Sequence, residues 1–96
     1  GENGQTLTAG AIYSGHTDIG AFTVYLPASP SINDRIEIWN LHRTWSSTNY
    51  IRVQRTTASH NFTGYTTDAY IDLDTNKANC VEFIYAWTDT WQVSIS

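Results

Sequence analysis

The sequence predicts an all-β fold, a small antiparallel β-sandwich or open barrel. Several short segments alternate apolar and polar residues, which is the two-residue period of a strand with one buried face. Clusters of Gly, Pro, Asn, Asp and Ser separate these segments, and no segment shows the 3.6-residue period of an amphipathic helix. Because short turns join most of the segments, strands that are neighbours in sequence are expected to pair as antiparallel ladders.

Size and composition limit the possible functions. The chain of 96 residues suffices for one domain, residues 1–96, of which residues 1–5 are predicted to be a flexible linker or the remnant of a tag. The net charge of −4 would repel a phosphate backbone, so nucleic acid is not an expected partner. No segment has the length of a transmembrane helix or the pattern of a signal peptide, so a membrane is not expected either. Cys80 is the only cysteine and is predicted to be a buried packing residue.

A connection with two prolines organises the middle of the chain. It joins two predicted strands, Ala21–Leu26 and Arg35–Trp39. Pro27 and Pro30 fix φ, cannot donate to a ladder, and push the preceding residue out of the helical region. A rigid connection between neighbouring strands is therefore expected.

The remaining segments and their alternation predict further strands and a core. The other predicted strands are Thr6–Ala9, Ala11–Tyr13, Tyr50–Arg55, Tyr70–Asp74, Cys80–Ala86 and Trp91–Ile95. The residues predicted to face the core are Phe22, Val24, Leu26, Ile36, Ile38, Ile51, Val53, Ile71, Leu73, Val81, Phe83, Tyr85, Trp91, Val93 and Ile95. A tight hairpin is expected at Trp87–Thr90.

The order of several motifs resembles a known family. The motifs are Leu26–Pro30, Asp34–Ile38, Asn49–Arg55, Phe62–Gly64, Val81–Tyr85 and Trp91–Val93. Together they resemble a small β-module that recurs in tail fibres, tailspikes and other appendages of tailed bacteriophages, and the resemblance covers residues 21–95. In that family the Leu-Pro-Ala-Ser segment forms a hairpin and the motifs are structural rather than catalytic. This chain has Asn33–Asp34 where the family has Gly-Asp, and it carries an unusual aromatic insertion at Leu41–Trp45.

The resemblance implies a non-enzymatic structural or receptor-recognition module of a virion appendage. Such a module would be located in the virion, form a homotrimer, contact other virion proteins and bind a host cell-surface glycan. An alternative from another class is a carbohydrate-binding module attached to a secreted bacterial glycosidase.

Catalytic and metal-binding patterns are weak. The chain has no Gly-x-Ser-x-Gly motif, and the only carboxylates in an apolar context, Glu37 and Glu82, fall on outward phases. His16, His42 and His60 lie in predicted loops without the spacing of a zinc site. We therefore expect no enzymatic activity, no cofactor and no metal.

Outward aromatic residues are the most informative functional signal. They are Tyr25, Trp39, Trp45, Tyr50, Tyr65 and Trp87. An exposed ring can stack on a sugar or fill the core of a subunit interface. The glycan-binding candidates are Trp45 and Trp87, with His42, Asn49 and Asp89 as polar partners. The subunit-interface candidates are Trp39, Tyr50 and Ile84. Trp45 has a second interpretation, in which its ring folds back and plugs the end of the sandwich.

Overall fold

The fold is all-β, as the sequence predicts. The computed structural model describes residues 3–15, 17, 20–63 and 69–96, and every regular element in these ranges is a strand. The strands are β1 Gln5–Thr6, β2 Ile12–Ser14, β3 Phe22–Tyr25, β4 Arg35–Trp39, β5 Ile51–Gln54, β6 Asn61–Thr63, β7 Tyr70–Leu73, β8 Cys80–Trp87 and β9 Thr90–Ile95. The described ranges contain no helix that is long and apolar enough to cross a membrane.

Two mixed sheets pack against each other as a small sandwich. Sheet I has the strand order β1-β3-β5-β7, and sheet II has the order β2-β4-β8-β9-β6. From β1 to β8, each strand lies in the sheet opposite to the one before it. The predicted hairpin is confirmed at the one place where consecutive described strands pair, between β8 and β9.

The prediction that strands adjacent in sequence pair as antiparallel ladders holds, among the described strands, only for β8 with β9. Parallel pairs join β1 to β3, β3 to β5, β2 to β4 and β6 to β9, whereas β4 with β8, β5 with β7 and β8 with β9 are antiparallel. From β1 to β3, from β3 to β5 and from β2 to β4, the chain crosses to the other sheet and returns in its original direction, whereas β7 runs opposite to β5. Side-chain alternation decides which face of a strand is buried, but not which strand lies beside it.

The proline-containing connection crosses from one sheet to the other. It leaves β3 in sheet I and enters β4 in sheet II, so it is not the hairpin that the resemblance implies. The Asp34 carboxylate accepts a hydrogen bond from the Ser31 backbone N–H at 2.8 Å. Asn33 has a φ of 75°, a left-handed conformation that Asn tolerates better than most residues. This turn redirects the chain into β4.

Residues 3–5, which belong to the predicted linker or tag remnant, are hydrogen-bonded to β3. Gln5 begins β1, which pairs with β3. The Gly4 N–H donates to the Thr23 carbonyl at 2.7 Å, and the Thr23 N–H donates to the Asn3 side-chain oxygen at 3.0 Å. The two residues before Asn3 lie outside the described residues.

One apolar core fills the space between the sheets. Most of the predicted inward residues are confirmed as buried, and so is Cys80, which is 6% exposed. Two differ from the prediction, because Phe22 is only half-buried and Ile95, near the end of β9, is 44% exposed. Leu7, Trp45, Phe62 and Ala78 complete the core.

Candidate functional site

Trp45 is a core residue rather than a ligand contact. Its side chain is 1% exposed, and its indole N–H donates to the Gly15 carbonyl at 2.7 Å. The ring fits because residue 15 has no side chain: a Cβ there would lie 2.9 Å from Trp45 Cζ2 and 2.5 Å from Ile51 Cδ1. The structure therefore supports the second interpretation, in which Trp45 plugs the sandwich. Its assignment to a glycan site is wrong because its ring has no accessible face.

The other predicted glycan residues lie at two separate places. His42 and Asn49 belong to the loop that follows β4, whereas Trp87 and Asp89 belong to the hairpin between β8 and β9. Because β4 runs antiparallel to β8, the loop lies beside the first residues of β8 and the hairpin lies at its far end. An eight-residue strand is about 23 Å long, so these residues do not form one site.

The predicted interface residues also divide between two surfaces. Trp39 and Ile84 lie on the outer face of sheet II, where Trp39 is 37% exposed and Ile84 is half-buried. Tyr50 directly precedes β5, and its phase places it on the outer face of sheet I. Tyr65 lies outside the described residues.

Three tyrosines, Arg52 and Asp72 lie together on the outer face of sheet I. We call this surface the tyrosine face, and its tyrosines are Tyr25, Tyr50 and Tyr70. Arg52 donates two hydrogen bonds to the Asp72 carboxylate, at 2.8 and 3.1 Å. Its guanidinium carbon lies 3.9 Å from the centre of the Tyr70 ring and 5.6 Å from that of Tyr50. The hydrogen bonds with Asp72 raise the pKa of Arg52. The charge of Arg52 is therefore permanent and is balanced within the face.

The outer face of sheet II carries a groove at its β2 edge. This Trp39 groove has a volume of ≈ 410 Å³ and is lined by Ile12, Tyr13, Ser14, Glu37, Trp39 and Leu41. The Trp39 indole N–H donates to Glu37 Oε1 at 3.0 Å, which fixes the ring above the sheet. Ile12 and Leu41 are 69% and 65% exposed and form an apolar rim.

A second concavity, the Arg43 depression, adjoins the groove on the β8 side. It has a volume of ≈ 220 Å³ and is lined by Trp39, Asn40, Leu41, Arg43 and Asn79. Trp39 and Leu41 line both concavities. The Trp39 ring therefore lies between two spaces that one elongated ligand can occupy together.

Hydrogen bonds fix the side chain of Arg43 in this depression. Its Nη1 donates to the carbonyl oxygens of Asn76 and Ala78 at 3.4 and 3.3 Å, and its Nη2 donates to Asn79 Oδ1. Asn40 is buried beside it and donates to the Ala78 carbonyl at 3.1 Å, which sets the orientation of its amide. Asn40 Oδ1 accepts no hydrogen bond from the described part of the chain.

Carboxylates make the rest of this sheet face acidic. Glu37 and Glu82 are directly opposite each other on β4 and β8, and Glu82 is paired with Arg35 at 3.5 Å. Burial, followed by the charges of these two carboxylates, raises the pKa of the Cys80 thiol. The sheet face is thus acidic around Glu37, whereas Arg43 provides a positive charge beyond Trp39.

No metal centre is found in the described ranges, where no three His, Cys, Asp or Glu side chains converge to hold an ion. His16 lies outside these ranges. Comparison with known proteins adds no identification. No protein-family model matches the chain, and no curated protein sequence is significantly similar to it. The function is therefore inferred from the chemistry of the tyrosine face, the Trp39 groove and the Arg43 depression.

Most residues of the two concavities were not predicted from the sequence as binding residues. Alternation in β4 places Glu37 and Trp39 on the same outward face, and that signal was available in the sequence. Ser14 lines the groove because β2 pairs in parallel with β4, and this pairing was not predicted. Arg43 lines the depression because of the course of an irregular loop, and such a loop has no periodic pattern from which its side-chain directions could be predicted.

Proposed function

We propose that this chain is a non-enzymatic recognition module of a phage virion appendage and binds a host cell-surface glycan in the Trp39 groove. The observation that carries the proposal is the Trp39 ring, exposed and fixed by Glu37 between two concavities that combine apolar and polar side chains. Trp39 was predicted to lie in a subunit interface, and the proposal gives it a different role.

The groove has the chemistry that saccharides require. An indole face can pack on the C–H face of a pyranose, and polar groups at its margins can bond the hydroxyls. Ser14 and Glu37 provide such groups on one side of Trp39, and Asn79 does so on the other. The groove is open and shallow, so we expect affinities of about millimolar to micromolar per site.

The assignment to a virion appendage rests on the motif order of residues 21–95. A carbohydrate-binding module of a secreted glycosidase is the second candidate, and one observation favours it: the exposed Trp39 ring beside Ser14 and Glu37 suits stacking on a sugar whether or not the chain belongs to a virion. Such a module can act as a monomer. Sedimentation separates the two, since a trimer supports the appendage and a monomer supports the glycosidase module.

A glycan array and host-cell binding test the proposal. The proteins are the wild type, Trp39→Ala and, as a matched control, Trp87→Ala, because Trp87 is an exposed tryptophan at the distant hairpin. We expect the wild type and Trp87→Ala to bind the same glycans and Trp39→Ala to lose them while its melting temperature stays close to that of the wild type. Binding that survives in Trp39→Ala and disappears in Trp87→Ala would move the site to the hairpin. A wild type that binds no glycan would make the module a structural spacer.

A further inference from the structure

We infer that the glycan carries an acidic substituent, a carboxylate or phosphate, which binds Arg43 in the depression beside Trp39. This inference rests on the proposed function and names the ligand class of that site. Because Trp39 and Leu41 line both concavities, a saccharide stacked on the ring extends to Arg43.

The charge of Arg43 is fixed in place but not neutralised by the described residues. Its three hydrogen-bond acceptors are two carbonyl oxygens and an amide oxygen, none of which is charged. In the described part of the chain no ion pair includes Arg43, whereas Arg35 and Arg52 are paired with Glu82 and Asp72. Of the five N–H groups of a guanidinium, two remain for a ligand. Such a fork matches the oxygens of a carboxylate or phosphate.

Two further features of the depression favour a ligand there. Arg43 has a φ of 55°, an unfavourable left-handed conformation that persists where the surrounding structure imposes it and that often marks functional positions. Asn40 lines the depression, and its buried Oδ1 has no hydrogen-bond donor among the described residues. An unpaired buried acceptor costs free energy, so native proteins retain few of them, and each calls for an explanation such as a functional role.

Because the whole chain is negatively charged, a preference for acidic over uncharged glycans would indicate a local positive charge at the site. A net charge of −4, with Glu37 and Glu82 on the same sheet face, disfavours acidic ligands in general. A protein with this charge that nevertheless prefers an acidic glycan must bind it through a local cation. Arg43 is the cation that lines the depression next to Trp39.

The test compares matched saccharides that differ only in charge, using calorimetry or array titration. The pairs are oligogalacturonate and its methyl ester, sialyllactose and its methyl ester, and a phosphorylated hexose and the free hexose. We expect the wild type to bind the charged member of at least one pair about tenfold more tightly, because a hydrogen bond to a charged group is worth that much in affinity. The first two pairs report a carboxylate and the third reports a phosphate. The preference should weaken with added salt.

Variants test whether Arg43 causes the preference for the charged saccharide. Arg43→Gln should abolish it, so that the charged and the uncharged member of a pair bind with the same affinity, and Arg43→Lys should retain part of it. Arg35→Gln is the control, since Arg35 lies on the same sheet face but is paired with Glu82. Thermal melts confirm that each variant is folded. Equal binding of both members of every pair, or a preference that survives in Arg43→Gln, would overturn the inference and leave the proposed function standing. Failure to bind any saccharide would overturn both.

Discussion

At the scale of single residues, Trp45 and Trp39 differ in how far the sequence predicts their environment: Trp45 is buried and Trp39 is exposed on the outer face of sheet II. Trp45 lies in an irregular loop, where no periodicity tells whether a ring points inward or outward. Its burial depends on contact with Gly15, which is 30 positions away in sequence. Trp39 lies in a regular strand, and alternation alone assigns it correctly to the outer face. Periodic segments therefore predict side-chain direction, and irregular ones do not.

Cys80 gives a prediction at this scale. Its thiol pKa is raised in the folded protein by burial and then by the neighbouring carboxylates Glu37 and Glu82. The unfolded chain therefore loses the thiol proton at a lower pH than the folded chain. The resulting stability is fully present below the unfolded pKa, near 9.0, and is lost as the pH rises through the folded pKa. We expect the free energy of unfolding to fall as the pH rises above about 8.5.

Urea denaturation across this pH range, on the wild type and Cys80→Ala, measures the effect. The difference between the two proteins isolates the thiol from tyrosine and lysine titrations, which both share. If the free energy of unfolding varied with pH in the same way in the two proteins, the Cys80 thiol would have the same pKa in the folded and the unfolded chain.

At the scale of elements, most strands were predictable and their partners were not. The exceptions are β6, which was not predicted, and β1, which was predicted at Thr6–Ala9 and is Gln5–Thr6. The prediction for β4 matches its observed bounds, and the alternating faces of β3, β5, β7, β8 and β9 were assigned correctly apart from their ends. Pairing was predicted wrongly because alternation carries no information about neighbours. The connections between sheets are short and rich in turn residues, as hairpins are. A hairpin and a crossover therefore look alike in the sequence.

The hairpin of β8 and β9 provides a prediction for the core. Trp91 is completely buried, its ring centre lies 5.2 Å from that of Tyr85, and its indole N–H donates to His60 Nδ1 at 3.4 Å. Trp91→Ala should lower the free energy of unfolding by about 3–5 kcal/mol. Trp87→Ala, in the same hairpin but exposed, should change it by less than about 0.5 kcal/mol. Equal midpoints for the two variants in chemical denaturation would show that the burial of β9 is assigned wrongly.

At the scale of the whole molecule, the exposed aromatic surfaces favour assembly. We predict a homotrimer in solution. A cyclic trimer buries two different patches on each subunit, and Tyr50 and Ile84 lie on the outer faces of different sheets. Tyrosine and arginine are enriched in interface cores, and the tyrosine face combines both without a net local charge from Arg52 and Asp72.

Light scattering at micromolar concentration tests the trimer. The expected mass is that of three chains, and Tyr50→Ala should shift the equilibrium toward smaller species. Gln54→Ala, on the same outer face, serves as a control for a change that removes no aromatic ring. A mass equal to one chain would contradict the trimer and favour the glycosidase-associated module.

Nuclear magnetic resonance titration with a saccharide that binds on the array shows directly whether the glycan occupies the Trp39 groove. The chain has four tryptophans, and their indole N–H signals report separate regions: Trp45 and Trp91 are in the core, Trp87 is at the hairpin and Trp39 is in the groove. The Trp39 signal is sensitive because its N–H is bonded to Glu37. We expect the Trp39 indole and the backbone signals of Ser14 and Asn79 to shift on binding while the Trp87 indole stays unchanged. Shifts confined to the hairpin or to the tyrosine face, with the Trp39 indole unmoved, would contradict binding in the Trp39 groove.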